Sequence, residues 1–322
     1  YSASKDGPVT SITGFHNVNC NHGFVFATEN GQVNVCNLNA RFSSKFSWCA
    51  EVKHVGSTVH KITYSAETRV LAALVSKVIP YRKRKPEEGG GDAHATNVYA
   101  AQEAAVAAEA REESFEVQLI SAETLEVLWS HALAPAEIGL SISSVYIKNQ
   151  TDESMSSIIA VGTATPRGED YPCRGNVYLF KIEKQDIPNA ELGQPRVKWG
   201  GSLVSTKDFR GAPGGGGVHV VSCLDGYLLV GIGIKVLLFK WNGEYPPATP
   251  PGYPDIPQLE QCGFFDSTLF TSSLATVKKF VLSGDSMRGI HFLRWLDQGN
   301  DSRKVLQLLS HDFSKPPIHH VQ

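Results

Sequence analysis

Phe115-Glu116-Val117-Gln118-Leu119-Ile120-Ser121-Ala122-Glu123-Thr124-Leu125-Glu126-Val127-Leu128-Trp129 is the stretch whose reading decides the fold class. Apolar side chains fall at every second position in Phe115, Val117 and Leu119, and again in Leu125, Val127 and Trp129. A period of two places alternate side chains on opposite faces of a strand, so each half should bury one face. Ser121 to Thr124 between them is turn-like, and the same tetrapeptide, Ser65 to Thr68, separates Ile62–Tyr64 from Val70–Val75. An insertion lies between the two copies, so the repetition reads as reused turn chemistry rather than as a structural period.

Outward from this hairpin, short strands continue in both directions. Phe24–Phe26 and Val33–Val35 flank Asn30-Gly31, the dipeptide favoured in a type I′ turn. Val177-Tyr178-Leu179-Phe180 is apolar on both faces, as an inner strand between two sheets would be. The meander resumes at Val218–Val221, Tyr227–Val230 (after Asp225-Gly226), Val236–Phe239, Leu269–Leu274, Lys279–Leu282, Ile290–Trp295 and Val305–Leu309. About 20 strands with almost no helical periodicity exceed one sandwich, whereas at about four strands per blade they make about five propeller blades. The expected fold is therefore all-β, a β-propeller of four-stranded antiparallel blades. Residues 80–114 open with a basic run, pass through Gly89-Gly90-Gly91 and end rich in Ala and Glu. They are expected to form an inserted surface loop, flexible or partly helical, because little in them is bulky enough to pack. Two more irregular stretches are expected, at 211–217 (glycine-rich) and 246–257 (proline-rich).

Among 322 residues, 30 Lys plus Arg balance 32 Asp plus Glu, which excludes a uniformly basic nucleic-acid sleeve and an acidic solvating chain. With 42% hydrophobic residues a large core is affordable. The longest apolar stretch, Tyr227 to Phe239, is interrupted by Gly231, Gly233 and Lys235 and is too short for a membrane helix, so the chain reads as soluble. It opens at Tyr1 in mid-pattern, as a piece of a longer protein would. Six cysteines without a C-x-x-C pair read as free thiols of a reducing compartment. The sequons at Asn149 and Asn300 carry little weight without a secretory signal.

The chemical motifs are weak. Gly284-Asp285-Ser286-Met287-Arg288 lacks the final glycine of a nucleophile elbow and lies between strands, so a hairpin turn is expected. Gly231-Ile232-Gly233 has no third glycine and no following helix, and Gly214–Gly217 leads into a strand, so neither cradles a phosphate. His16, Cys20, His22 and Cys36 lack metal-ligand spacing. No catalytic, cofactor-binding or metal residue is expected. The one charge feature with a functional reading is Arg82-Lys83-Arg84-Lys85, a nuclear-import address or a phosphate contact, against the plainer reading of a solvated loop face.

A family resemblance runs through the chain. Pro8-Val9-Thr10, Phe15-His16-Asn17-Val18-Asn19-Cys20 and Gly23-Phe24 open it, and Ile159–Thr163, Arg167–Asp170 and Arg174-Gly175 continue it. Phe265-Asp266-Ser267-Thr268-Leu269-Phe270, Val277–Leu282, Gly284–Arg288, Phe292–Trp295 and Leu308–Phe313 complete it. Together these resemble the family of the largest subunit of cleavage and polyadenylation specificity factor (CPSF). Its relatives include large subunits of a damaged-DNA-binding complex and of splicing factor three b. The resemblance implies a C-terminal propeller of seven-bladed type, incomplete in this stretch, with first blades in 1–79 and a CPSF A-subunit region in 115–322 that stops before the family's final strands. It also implies a non-catalytic nuclear scaffold of pre-mRNA 3′-end processing. The implied partners are the WD-repeat and zinc-finger RNA-binding subunits, the nuclease and the poly(A) polymerase, with pre-mRNA touched mainly through them and no membrane or cofactor. The alternatives are a related adaptor of a ubiquitin-ligase, DNA-damage or splicing complex, or a direct nucleic-acid binder. The last predicts salt-sensitive RNA binding by this chain that disappears when Arg82, Lys83, Arg84 and Lys85 are neutralised, measured by filter binding across a salt series.

Overall fold

The computed structural model describes residues 8–37, 53–80, 111–167, 173–186, 197–209, 216–244, 257–287, 289–298, 302–312, 318 and 321. Within these the chain is all-β, with five antiparallel sheets. They divide into two compact units, residues 1–54 and 55–322. The first unit holds one three-stranded sheet of β1 (Val9–Asn17), β2 (Cys20–Thr28) and β3 (Val33–Asn37).

The second unit holds four sheets of four strands, each wound in chain order. The first comprises β4 (Thr58–Ser65), β5 (Val70–Pro80), β6 (Arg111–Ser121) and β7 (Val127–Ala132). The second comprises β8 (Ile138–Lys148), β9 (Met155–Thr165), β10 (Arg174–Asp186) and β11 (Val197–Asp208). The third comprises β12 (Val218–Leu224), β13 (Tyr227–Ile232), β14 (Lys235–Trp241) and β15 (Leu259–Asp266). The fourth comprises β16 (Thr271–Val277), β17 (Phe280–Asp285), β18 (Gly289–Gln298) and β19 (Ser302–His311). First strands of successive sheets touch: β4 meets β8, β8 meets β12, and β12 meets β16.

Alternation explains why these sheets stack face to face. In β9, Ile159 and Val161 turn toward Leu74, Val117 and Leu119 of the preceding sheet, while Ile158 and Ala160 turn toward Val221, Val230 and Leu237 of the following one. In the third sheet Leu228 and Val230 face backward, and Leu229, Val236 and Leu238 face forward onto Val281, Leu293 and Trp295. The unbroken apolar run Val177 to Phe180 belongs to an interior strand of this kind, with Leu179 in one core and Phe180 in the next. Each fully buried aliphatic side chain contributes about 1.5–3 kcal/mol, and each inner sheet supplies two such faces.

A register irregularity recurs in all five sheets. The first strand carries one extra residue opposite the second strand, at Thr10, His60, Leu140, His219 and Ser272. Such a bulge increases the local twist and re-aims the strand end. The residue paired just after it, on the second strand, is Ala27, Leu74, Gly162, Gly231 or Gly284. Within the second unit that position abuts the start of the next first strand. A Cβ on Gly162 would stand 2.4 Å from Val218 Cγ1, and one on Gly231 would stand 2.9 Å from Thr271 Cγ2. Where the second strand instead carries Leu74, its neighbour is Gly139, whose added Cβ would lie 2.4 Å from Leu74 Cδ1. Bulk on one side is matched by its absence on the other.

The two Ser-Ala-Glu-Thr turns lie side by side at one end of the first four-stranded sheet. Ala122 N donates to Arg69 O at 3.1 Å. The residue after each tetrapeptide, Arg69 or Leu125, is left-handed, at φ 52° and 53°. Leu125 is therefore a turn residue, and β7 begins only at Val127. The Asn30-Gly31 turn also differs from expectation: Gly31 alone is left-handed, and its N–H closes a turn onto Thr28 O at 3.0 Å. Asp225-Gly226 is the turn with both central residues at positive φ, 51° and 84°. β5 and β6 reach Pro80 and Arg111, so both ends of the 80–114 stretch are strand, and residues 81–110 lie outside the described residues. Most of 211–217 and 246–257 lies outside them too.

The complementarity is testable. Gly162→Ala, which would meet Val218 backbone as well as side chain, should lower the unfolding free energy by about 2 kcal/mol or more. Gly139→Ala should cost about 1–3 kcal/mol, part of which Leu74→Ala restores in the same chain. Strict additivity in a urea-denaturation double-mutant cycle would mean that these sheets do not meet there.

Candidate functional site

Two buried carboxylates dominate the polar chemistry of the described residues, and both hold the loop that leads into a first strand. Asp285, at the end of β17, is fully buried. Its Oδ2 accepts from Ser267 Oγ at 2.9 Å, Leu269 N at 2.8 Å and Phe270 N at 3.1 Å, and its Oδ1 accepts from Met287 N at 2.9 Å. The Phe265–Phe270 segment is thus wrapped onto the aspartate of Gly284-Asp285-Ser286. Burial pushes the Asp285 carboxyl upward, but these donors outweigh it and hold the group below the ordinary aspartate value. The loop donors also explain why β16 starts at Thr271 rather than at Leu269.

Glu137, 1% exposed, plays the same part before β8. It accepts from Asn176 Nδ2 at 2.8 Å, Tyr178 Oη at 2.8 Å and Ala134 N at 3.1 Å, and from Thr163 Oγ1. Thr163 occupies in its sheet the register position that Asp285 occupies in the fourth. Burial and the neighbouring Glu137 carboxylate raise the Tyr178 phenol well above its usual range. His131 is lowered by burial, which Glu137 partly opposes.

Ser286 does not assemble a nucleophile. Its N–H donates to Phe270 O at 2.9 Å in a turn that Gly289 closes at φ 79°. His291 shares a hydrogen bond of 3.1 Å with Thr268 Oγ1 and stacks on His311 at 4.0 Å, while the Asp285 carboxylate is occupied by loop donors. The hairpin expected there is what forms. Among the described residues no three His, Cys, Asp or Glu side chains gather around a metal-sized space; the side chains of Cys20 and His22 lie outside them. Arg82, Lys83, Arg84 and Lys85 fall in the connection from β5 to β6, outside the described residues. Gly231 and Gly233 belong to a strand and its turn, as expected. The reading from sequence missed the roles of Asp285, Glu137 and His291. Asp285 alone had a signal, a charged residue closing an apolar strand; Glu137 had none.

The geometry defines an all-β stacking protein in which, among the described residues, the buried carboxylates secure loops rather than gather around a reacting atom. Comparison with known proteins specifies it further. The model of the CPSF A subunit region matches residues 114–321, and the chain belongs to that family. It is similar to a rice protein named probable cleavage and polyadenylation specificity factor subunit 1, with 30% identity over 96% of this chain and 20% of that protein. The Arabidopsis thaliana subunit 1 is 30% identical over 97% of this chain and 20% of its own length. Fission yeast protein cft1 is 25% identical over 92% of this chain and 19% of its own. The chain spans about a fifth of the length of these relatives.

Asp285→Asn should destabilise the chain by about 3 kcal/mol, because an amide accepts at one atom only and opposes N–H to N–H at the other. Since the folded carboxyl lies below its ordinary value of 3.8, its stabilisation is complete above that pH and is lost as pH falls through the folded value. Denaturation midpoints between pH 7 and pH 3 should fall for the parent and less steeply for Asp285→Asn. Ser286→Ala should leave labelling by a serine-reactive fluorophosphonate probe unchanged.

Proposed function

We propose that this chain is part of a non-catalytic nuclear scaffold subunit of the pre-mRNA 3′-end cleavage and polyadenylation complex, and that its sheets are blades of a β-propeller. The reading is carried by one observation: relatives from plants and fission yeast, all bearing the names of this factor or of cft1, align with at least 92% of the chain. The opening Phe15–Cys20 segment is the part of the resemblance that favours this branch over the damaged-DNA-binding and splicing relatives.

The propeller reading draws support from the repeated nesting of first strands. Ile318 and Val321 lie against Gly284, where added bulk would stand 2.7 and 3.1 Å from them. They hold the place that Val218 takes at Gly162 and Thr271 takes at Gly231, so the same stacking continues past the fourth sheet. In this reading residues 1–79 hold the first blades, 80–114 an inserted loop, and 115–322 the CPSF A-subunit region. A propeller offers broad, rigid faces crowded with loops, suited to holding several subunits at once. The partners would be the WD-repeat and zinc-finger RNA-binding subunits, with the nuclease and the poly(A) polymerase recruited through them.

Affinity purification of the full-length protein from nuclear extract, followed by mass spectrometry, should recover those two subunits at near-equal abundance. A cullin in their place would move the chain to the damaged-DNA-binding branch. Splicing-factor subunits in their place would move it to the other.

A further inference from the structure

A threonine followed by proline occurs twice in the sequence, at Thr165-Pro166 and Thr249-Pro250, and the second pair lies outside the described residues. Thr165 is the last residue of β9. A proline holds the residue before it extended, and its missing N–H ends a ladder, so the strand stops where the sequence requires. Thr165 is half-buried at this end, and Pro166 and Arg167 beyond it are exposed. An extended threonine followed by an accessible proline is the form in which proline-directed protein kinases take their substrate.

Two contrasts single out this position. Thr163, two residues earlier on the same face, has its hydroxyl engaged by the Glu137 carboxylate and by Asn176 O at 3.3 Å. Thr165 Oγ1 has no hydrogen-bond partner among the described residues. Arg174 stands directly opposite Thr165 in β10, so the two side chains leave one face of the ladder with Cβ atoms about 5 Å apart. Arg174 is half-buried, and among the described basic side chains of β10 it alone has no partner. Lys181 pairs with Glu244 at 3.5 Å, and Lys184 Nζ lies 5.3 Å from the Trp199 ring centroid. Glu137 and Asp208 share the face of Arg174 through Asn176, but neither forms an ion pair with it. A guanidinium drawn partly out of water without an anion is an open position for one.

We infer that Thr165 is a phosphorylation site for a proline-directed protein kinase, and that Arg174 receives the phosphate across the β9–β10 ladder. In the transfer the Thr165 hydroxyl oxygen bonds to the γ-phosphorus of a nucleoside triphosphate. The bond from that phosphorus to the β-phosphate oxygen breaks, the nucleoside diphosphate leaves with the electron pair, and the hydroxyl proton passes to a base of the kinase. The product brings a charge of about −1.5 to −2 and three acceptor oxygens, two of which suit the guanidinium fork. Only the last rung of the ladder has to open for the kinase, and strand ends open most readily. Phosphorylation thereby replaces an unpaired cation by an ion pair at the open end of β9 and β10. The site does not depend on which complex the chain serves.

The test incubates the 322-residue chain, and separately a peptide of residues 160–171, with a purified proline-directed kinase and magnesium ATP, and locates the phosphate by tandem mass spectrometry. Chain and peptide should both carry it on Thr165. Thr249→Val should leave that labelling unchanged, and Thr165→Val should remove it. Phosphorus NMR then reads the receiver. With Arg174 beside it, the second ionisation of the phosphate should fall about one unit below its usual value of about 6, and Arg174→Gln should return it there. Labelling of the peptide without the chain, labelling of the chain confined to Thr249, or an ionisation that Arg174→Gln leaves unmoved would overturn the proposal. These readouts are independent of which subunits co-purify with the full-length protein, so the two readings can fail separately.

Discussion

Sheet can lie on sheet in the larger unit because, at one repeated position, a second strand and the next sheet's first strand approach more closely than two full side chains allow. Gly162 against Val218, Gly231 against Thr271, and Leu74 against Gly139 are three solutions to the same steric problem. The bulge beside each supplies the twist that brings the strand end there. This close approach lets alternate residues of a single strand enter two different cores. Ile158 and Ile159, adjacent in sequence, belong to different hydrophobic clusters for that reason.

Buried carboxylates answer a second constraint. The second and fourth sheets of the larger unit each begin after a loop from the last strand of the sheet before, and that loop's N–H groups need acceptors away from water. Asp285 takes those of Leu269 and Phe270 and Glu137 that of Ala134, each carboxylate having four donors in all. A charge buried with so many partners is tolerable, whereas one that had lost them would not be. The same arithmetic separates Gly284-Asp285-Ser286 from a hydrolase motif. An aspartate committed to loop amides cannot also orient a histidine toward Ser286.

Much of the fold was legible, for identifiable reasons. Two-sided apolarity at Val177–Phe180 announced an interior strand, and the paired Ser-Ala-Glu-Thr segments announced two turns of one kind. Leu125 and Leu269 were misleading: each continues an apolar pattern, but one is held left-handed by a turn and the other donates its N–H to Asp285. The five-fold repetition of the bulge was invisible because Thr10, His60, Leu140, His219 and Ser272 share no chemistry. What repeats there is a backbone register, and stretches of unequal length separate its copies. The candidate site was less legible still, since Glu137 gains its partners Thr163, Asn176 and Tyr178 only once β9 and β10 close around it.

Alternation of side chains, turn residues and the near-balance of charge were enough to determine an all-β chain of many short antiparallel strands, because each of these is a local property of the backbone and its immediate neighbours. Which sheets meet, which glycine faces which methyl group, and which carboxylate receives which loop were decided only by the tertiary structure. Those pairings join residues as far apart as Ser141 and Val218, and they depend on shape and on the depletion of water between surfaces that no single stretch of sequence contains.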